Sequence, residues 1–151
     1  VFNEDVGEIL ARDPARAAGY IFAGFPIKGS DTGDYIVRNL VGIDPERKLL
    51  AVGDYLNAGD TIVFCRRDTR TAFEDLLRML RDIKNRLGRP PKGGVYYSCL
   101  GRGAHMFGEN SEELKPIRQE LGDIPLVGFF ANGEISNNRL YGFTGVLTLF
   151  S

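Results

Sequence analysis

The apolar positions of this chain follow two periods. Four short runs, "YIFAGFPI" (20–27), "YIVRNLVGI" (35–43), "KLLAVGDYL" (48–56) and "TIVFCRR" (61–67), are rich in β-branched and aromatic residues. Gly, Asp, Asn and Pro bound them, which predicts strands. Pro45 in "DPER" suits the second position of a type I turn, and "KGSDTGD" (28–34) and "NAGD" read as loops. The strands follow one another closely, so a meander and an antiparallel sheet are expected. Ahead of them, "NEDVGEILARDPARAAG" reads as a helix up to Pro14.

After residue 68 the period changes. Phe73, Leu76, Leu77, Leu80, Ile83 and Leu87 recur at helical spacing on one stripe. Thr71 and Glu74 form a capping-box pattern, and Gly88, Pro90 and Pro91 supply the stop. Arg78, Arg81, Asp82, Lys84 and Arg86 make a solvated face. "GVYYSCL" (94–100) and "IPLVGFFA" (124–131) read as strands, and "LYGFTGVLTLF" (140–150) as the last one. A second capping-box pattern, Asn110 with Glu113, opens a helix bearing Leu114, Ile117 and Leu121. Pro116 requires that helix to be kinked or to start late. A glycine loop (101–109) and the polar loop "NGEISNN" (132–138) remain. The pattern predicts an α+β fold, a mostly antiparallel β-sheet with two main helices packed on it, in a single domain spanning 1–151.

Composition narrows the class. The chain has 151 residues, 43% of them apolar and 26% charged, with net charge -1. That is a globular profile with no basic footprint for nucleic acid. No apolar run approaches the roughly 20 residues that span a bilayer, and no signal-peptide pattern opens the sequence. Two cysteines, Cys65 and Cys99, make no disulfide framework and point to a reducing, cytoplasmic compartment. Residue 1 is valine, so a fragment of a longer protein is expected.

The candidate chemistry lies in the two loops. One follows Cys99 and holds Arg102 between Gly101 and Gly103, with His105 beyond. The other carries Asn132, Gly133 and Glu134. A planar guanidinium suits a carboxylate or phosphate, and flanking glycines let a ligand approach the backbone. Glu134 suits the cationic end of the same ligand, so the pair fits a zwitterion such as an amino acid. A purely structural reading stands beside this one: the glycines serve a turn, and Arg102 pairs with Glu134. Cys99 and Cys65 alternate with core residues and read as small hydrophobes. His105 has no partner histidine, so no metal site is expected, and no glycine pattern matches a P-loop or a dinucleotide fingerprint. Arg38 shares a strand face with Ile36 and Leu40 and needs a partner there.

"YSCLGRGAHMFG" (97–108), "IPLVGFFANGEI" (124–135) and "LYGFTGVLTLF" (140–150) together resemble the C-terminal domain of the FIST family. "YIVRNLVGID" (35–44) and "CRRDTRTAFEDL" (65–76) do so more loosely, and the resemblance is strongest over 93–150. It implies a sensory domain of a signal-transduction protein that binds a small ligand, an amino acid or a similar small polar anion. Carried over, Cys99, Gly101, Arg102 and Gly103 fall on the first motif and Phe129, Gly133 and Glu134 on the second. Asn132 and Arg38 complete the expected ligand-binding set. Family members usually carry an N-terminal FIST domain, which is expected to be missing here, as is any signalling module beside it. Some members are haem-linked, but His105 is outside the motif, so no cofactor is expected. No catalytic residue is assigned. Two other readings stay open: a thiol-dependent enzyme using Cys99, and a protein-interaction scaffold as in F-box proteins.

Overall fold

A computed structural model describes residues 19–29, 33–44, 46–110 and 112–151. The helix expected before Pro14 and the turn at Pro45 lie outside them. Antiparallel sheets and helices give the α+β class read from the sequence. The described residues up to Arg67 form one compact unit, and Asp68–Ser151 form a second.

The first unit is a sheet of β1 (Ile21–Pro26), β2 (Tyr35–Asp44), β3 (Leu49–Val52) and β4 (Val63–Arg66). All its pairings are antiparallel. The order is β3-β2-β1-β4, so the expected meander is corrected. The fourth strand returns to the free edge of the first, where Phe22 faces Cys65. Ile21, Ala23 and Leu40 form the core there, with Phe25, Ile43, Val52, Ile62 and Phe64 around them. Arg38 has the partner its position demands. Its Nε lies 2.8 Å from Asp54 Oδ2, and its Nη1 donates to the Val37 carbonyl at 3.1 Å.

The second unit opens with α1 (Thr69–Leu87). Leu76 and Leu80 of its apolar stripe are buried. The N-cap is Asp68, not the Thr71/Glu74 box: the Asp68 carboxylate accepts from Thr71 N–H at 2.9 Å. Glu74 pairs instead with Arg70 at 3.1 Å. Gly88, at φ 62, provides the left-handed cap that stops the helix. Then come β5 (Gly93–Cys99), α2 (Gly103–Phe107), α3 (Leu114–Leu121), β6 (Leu126–Ala131), β7 (Glu134–Ser136), β8 (Arg139–Tyr141) and β9 (Gly145–Phe150).

Strand β5 is central, antiparallel to β9 and parallel to β6. Gly128 sits opposite Tyr96, and a Cβ there would run into the Tyr96 carbonyl. Tyr96 points to the helix side, where Leu76, Leu80, Ile117 and Leu121 complete the core. Burying a side chain of this size contributes about 1.5–3 kcal/mol. Arg81 and Lys84 of α1 both reach Glu120 of α3, so part of the "solvated" face ties the helices together.

Two local readings change, and the alternative left open at Pro116 is decided. The loop after Cys99 contains α2, a five-residue helix the sequence did not announce. Helix α3 starts late, which puts Pro116 in its first turn, where its missing N–H costs nothing. The polar loop 132–138 is largely a hairpin, β7 with β8, turned at Asn137 (φ 55). The expected last strand is therefore two strands, broken at 142–144 with Phe143 at φ 61.

Candidate functional site

Parallel pairing of β5 with β6 brings the C-terminal ends of both strands together, with Cys99 opposite Ala131. The loop after Cys99 and the loop after Ala131 consequently leave the same end of the sheet. Arg102 and Glu134 come near enough for the Arg102 charge to be felt at the Glu134 carboxylate. They do not pair with each other, so the purely structural reading is corrected in its partner.

The partner of Arg102 is Glu113, with Nε 2.7 Å from Oε1. Side-chain exposures of 12% and 7% make this a buried pair. The same Oε1 accepts from the Tyr96 hydroxyl at 2.6 Å, and Oε2 accepts from Ser98 Oγ at 2.8 Å. Tyr96 and Ser98 alternate onto the helix side of β5, which aims both hydroxyls at the residue preceding α3. Gly145 leaves room for the Tyr96 ring, since a Cβ there would lie 2.9 Å from it. Burial, then the Glu113 charge, push the Tyr96 phenol far above its usual range, so it stays a donor. Burial works against the Arg102 charge, but Tyr96 and Glu113 hold its pKa above the ordinary value. The guanidinium also lies 4.9 Å from the centre of the buried Phe107 ring, a cation–π contact.

Glu134 is the contrasting case. It is only 2% exposed, and neither carboxylate oxygen reaches a hydrogen-bond partner. Burial pushes its carboxyl above the usual range. The Thr144 and Gly133 amides, the Arg102 charge and the Cys99 thiol pull the other way without bonding geometry. Cys99 itself is buried at 7% exposure, and both thiols are free.

The remaining expected residues divide. Gly101 and Gly103 flank Arg102, but the space beside them is filled. A Cβ on Gly101 would lie 3.1 Å from the Phe143 ring, and one on Gly103 would lie 3.3 Å from the Phe130 ring. These glycines admit aromatic rings where an approaching ligand was expected. Gly133, at φ 133, needs to be glycine to bring Glu134 inward. Phe129 is 66% exposed and meets Tyr97 edge-on at 5.0 Å. Asn132 and His105 are exposed. Arg38 belongs to the first unit, where Asp54 engages it. Glu113, Tyr96, Ser98 and Phe143 were not among the expected site residues. Among the described residues no cluster of His, Cys, Asp and Glu could hold a metal ion, and no helix is long and apolar enough to cross a membrane.

The FIST C domain model matches residues 1–137, which leaves β8 and β9 outside the match. An uncharacterized protein of Mycobacterium tuberculosis (strain CDC 1551 / Oshkosh) is 39% identical over 122 residues, covering 78% of this chain and 32% of the relative. An uncharacterized protein of Mycobacterium bovis (strain ATCC BAA-935 / AF2122/97) is 37% identical over the same shares. The chain thus spans about a third of the length of these relatives. No solved structure matches it. With most of its length under one family model, the chain belongs to the FIST C domain family.

Proposed function

We propose that this chain is a ligand-binding sensory domain of a signal-transduction protein and that its site lies where β5 and β6 end together. Family membership suggests the sensory role. The observation that carries the site is a buried carboxylate, Glu134, with both oxygens unpartnered beside a firmly held guanidinium. The bond from Arg102 to Glu113 uses Nε, so the terminal N–H groups of the guanidinium are not consumed by it. A small molecule with an amino group and an acceptor would satisfy both, as an amino acid does. The Cys99 thiol and the Phe143 ring border the same place.

A thermal-shift screen of amino acids and other small polar metabolites tests this reading. A ligand that binds only the folded state raises the melting temperature by mass action, worth about 2.7 kcal/mol at a hundredfold excess over Kd. At least one compound should do so for the wild type and do so less for Glu134→Gln. A screen in which no small polar compound shifts the wild type would overturn the proposal.

A further inference from the structure

The charges around this site do not cancel. Arg102 and Glu113 form a buried neutral pair, and Tyr96 and Ser98 donate to the same carboxylate. What remains is Glu134, out of water and without a hydrogen-bond donor on either oxygen. The titratable or charged groups facing it are Cys99 from β5, Arg102 from the loop after β5, and Tyr141, its cross-strand neighbour on β8. Only one of these is cationic, and that one is already paired. A buried carboxylate left in this condition needs either a proton or a cation with N–H donors.

We propose that the site selects a ligand carrying net positive charge at its amino end, an ammonium received by Glu134, and discriminates against anions. This rests on the ligand-site reading above and sharpens it: the small polar anion expected from the sequence is the disfavoured class. An ammonium offers three donors and no acceptor, which suits two bare carboxylate oxygens. An anion would sit beside the Glu134 carboxylate, and the charge of the guanidinium nearby is already offset by Glu113.

Calorimetric titration of the 151-residue chain with matched probes tests the inference. One set is amino-acid amides, which are cationic and keep the ammonium. The other is N-acetylated amino acids with the same side chains, which are anionic and lack it. The free amino acids serve as the zwitterionic reference. The amides should bind at least as tightly as the free amino acids, and the acetylated set should bind roughly tenfold to a hundredfold more weakly, the span of one charge-assisted hydrogen bond. Glu134→Gln should erase that preference without lowering the melting temperature, which a merely structural glutamate would not do. Tighter binding of the acetylated set would overturn the charge assignment and leave the site intact. Binding by neither set nor by the free amino acids would overturn the site as well.

Discussion

Glu113 and Glu134 are both buried carboxylates, and their neighbours give them opposite behaviour. Glu113 accepts from three side chains. Removing one partner of a buried ion pair strands the other, so Glu113→Gln should cost roughly 3–5 kcal/mol in urea unfolding. A loss below ~1 kcal/mol would mean that the pair is solvated in practice. Glu134 runs the other way. Burial raises its carboxyl above the value it has in the unfolded chain, so the folded state keeps a proton the unfolded state releases. Stability should fall as pH rises from the ordinary carboxylate range through that raised value. Glu134→Gln should lose this slope, melting higher than wild type at neutral pH and converging with it in acid. Parallel melting-temperature profiles for the two proteins would contradict the assignment. Arg102 and Glu134 were legible in the sequence as two charges on two loops, but the pairing suggested between them does not form. Glu113 was not, because an Asn-x-x-Glu spacing fits a helix cap equally well, and nothing local shows that three donors on two other elements converge on it.

At the level of elements, periodicity identified every long strand and the main helix, while their ends depended on single residues. Asp68, one step before the expected cap, wins because its carboxylate reaches Thr71 N–H. Asp68→Ala should then cost about 1 kcal/mol, and Glu74→Ala only the few tenths of an exposed i,i+4 pair with Arg70. Equal losses in urea midpoints would return the cap to the capping box. Pro116 displaced the start of α3, and that displacement freed Glu113 from capping. The hairpin β7–β8 was hidden because its polar residues look like a loop until Asn137 adopts the left-handed turn. Gly128 gives a sharper test. Any side chain there collides with the Tyr96 carbonyl across the parallel ladder, so Gly128→Ala should leave the second unit without native near-ultraviolet dichroism. A native spectrum would show that the ladder yields.

For the whole molecule, the α+β class followed from the change of period at residue 68, which is also where one compact unit gives way to the next. The order of the first sheet did not follow, because alternation in a strand says which face is buried and nothing about which neighbour it joins. Hydrogen exchange in graded urea should report the two units separately. Amides of β1 to β4 should lose protection as one group. Those of β5, β6 and β9, with the segment 133–144, should do so as another. Exchange of β6 apart from β5 would argue against a cooperative second unit.

The parallel joining of β5 to β6 also sets an order of events. A hairpin closes as soon as its second strand exists, but these ends meet only after residues 100–125 have been made and folded across the sheet. A chain still emerging from the ribosome therefore holds Cys99 and Arg102 well before it holds Glu134. The Thr144 amide and the Phe143 ring come later still. In biosynthetic terms, the proposed site is assembled from its two sides in succession, and a chain cut short before β6 holds only the first of them.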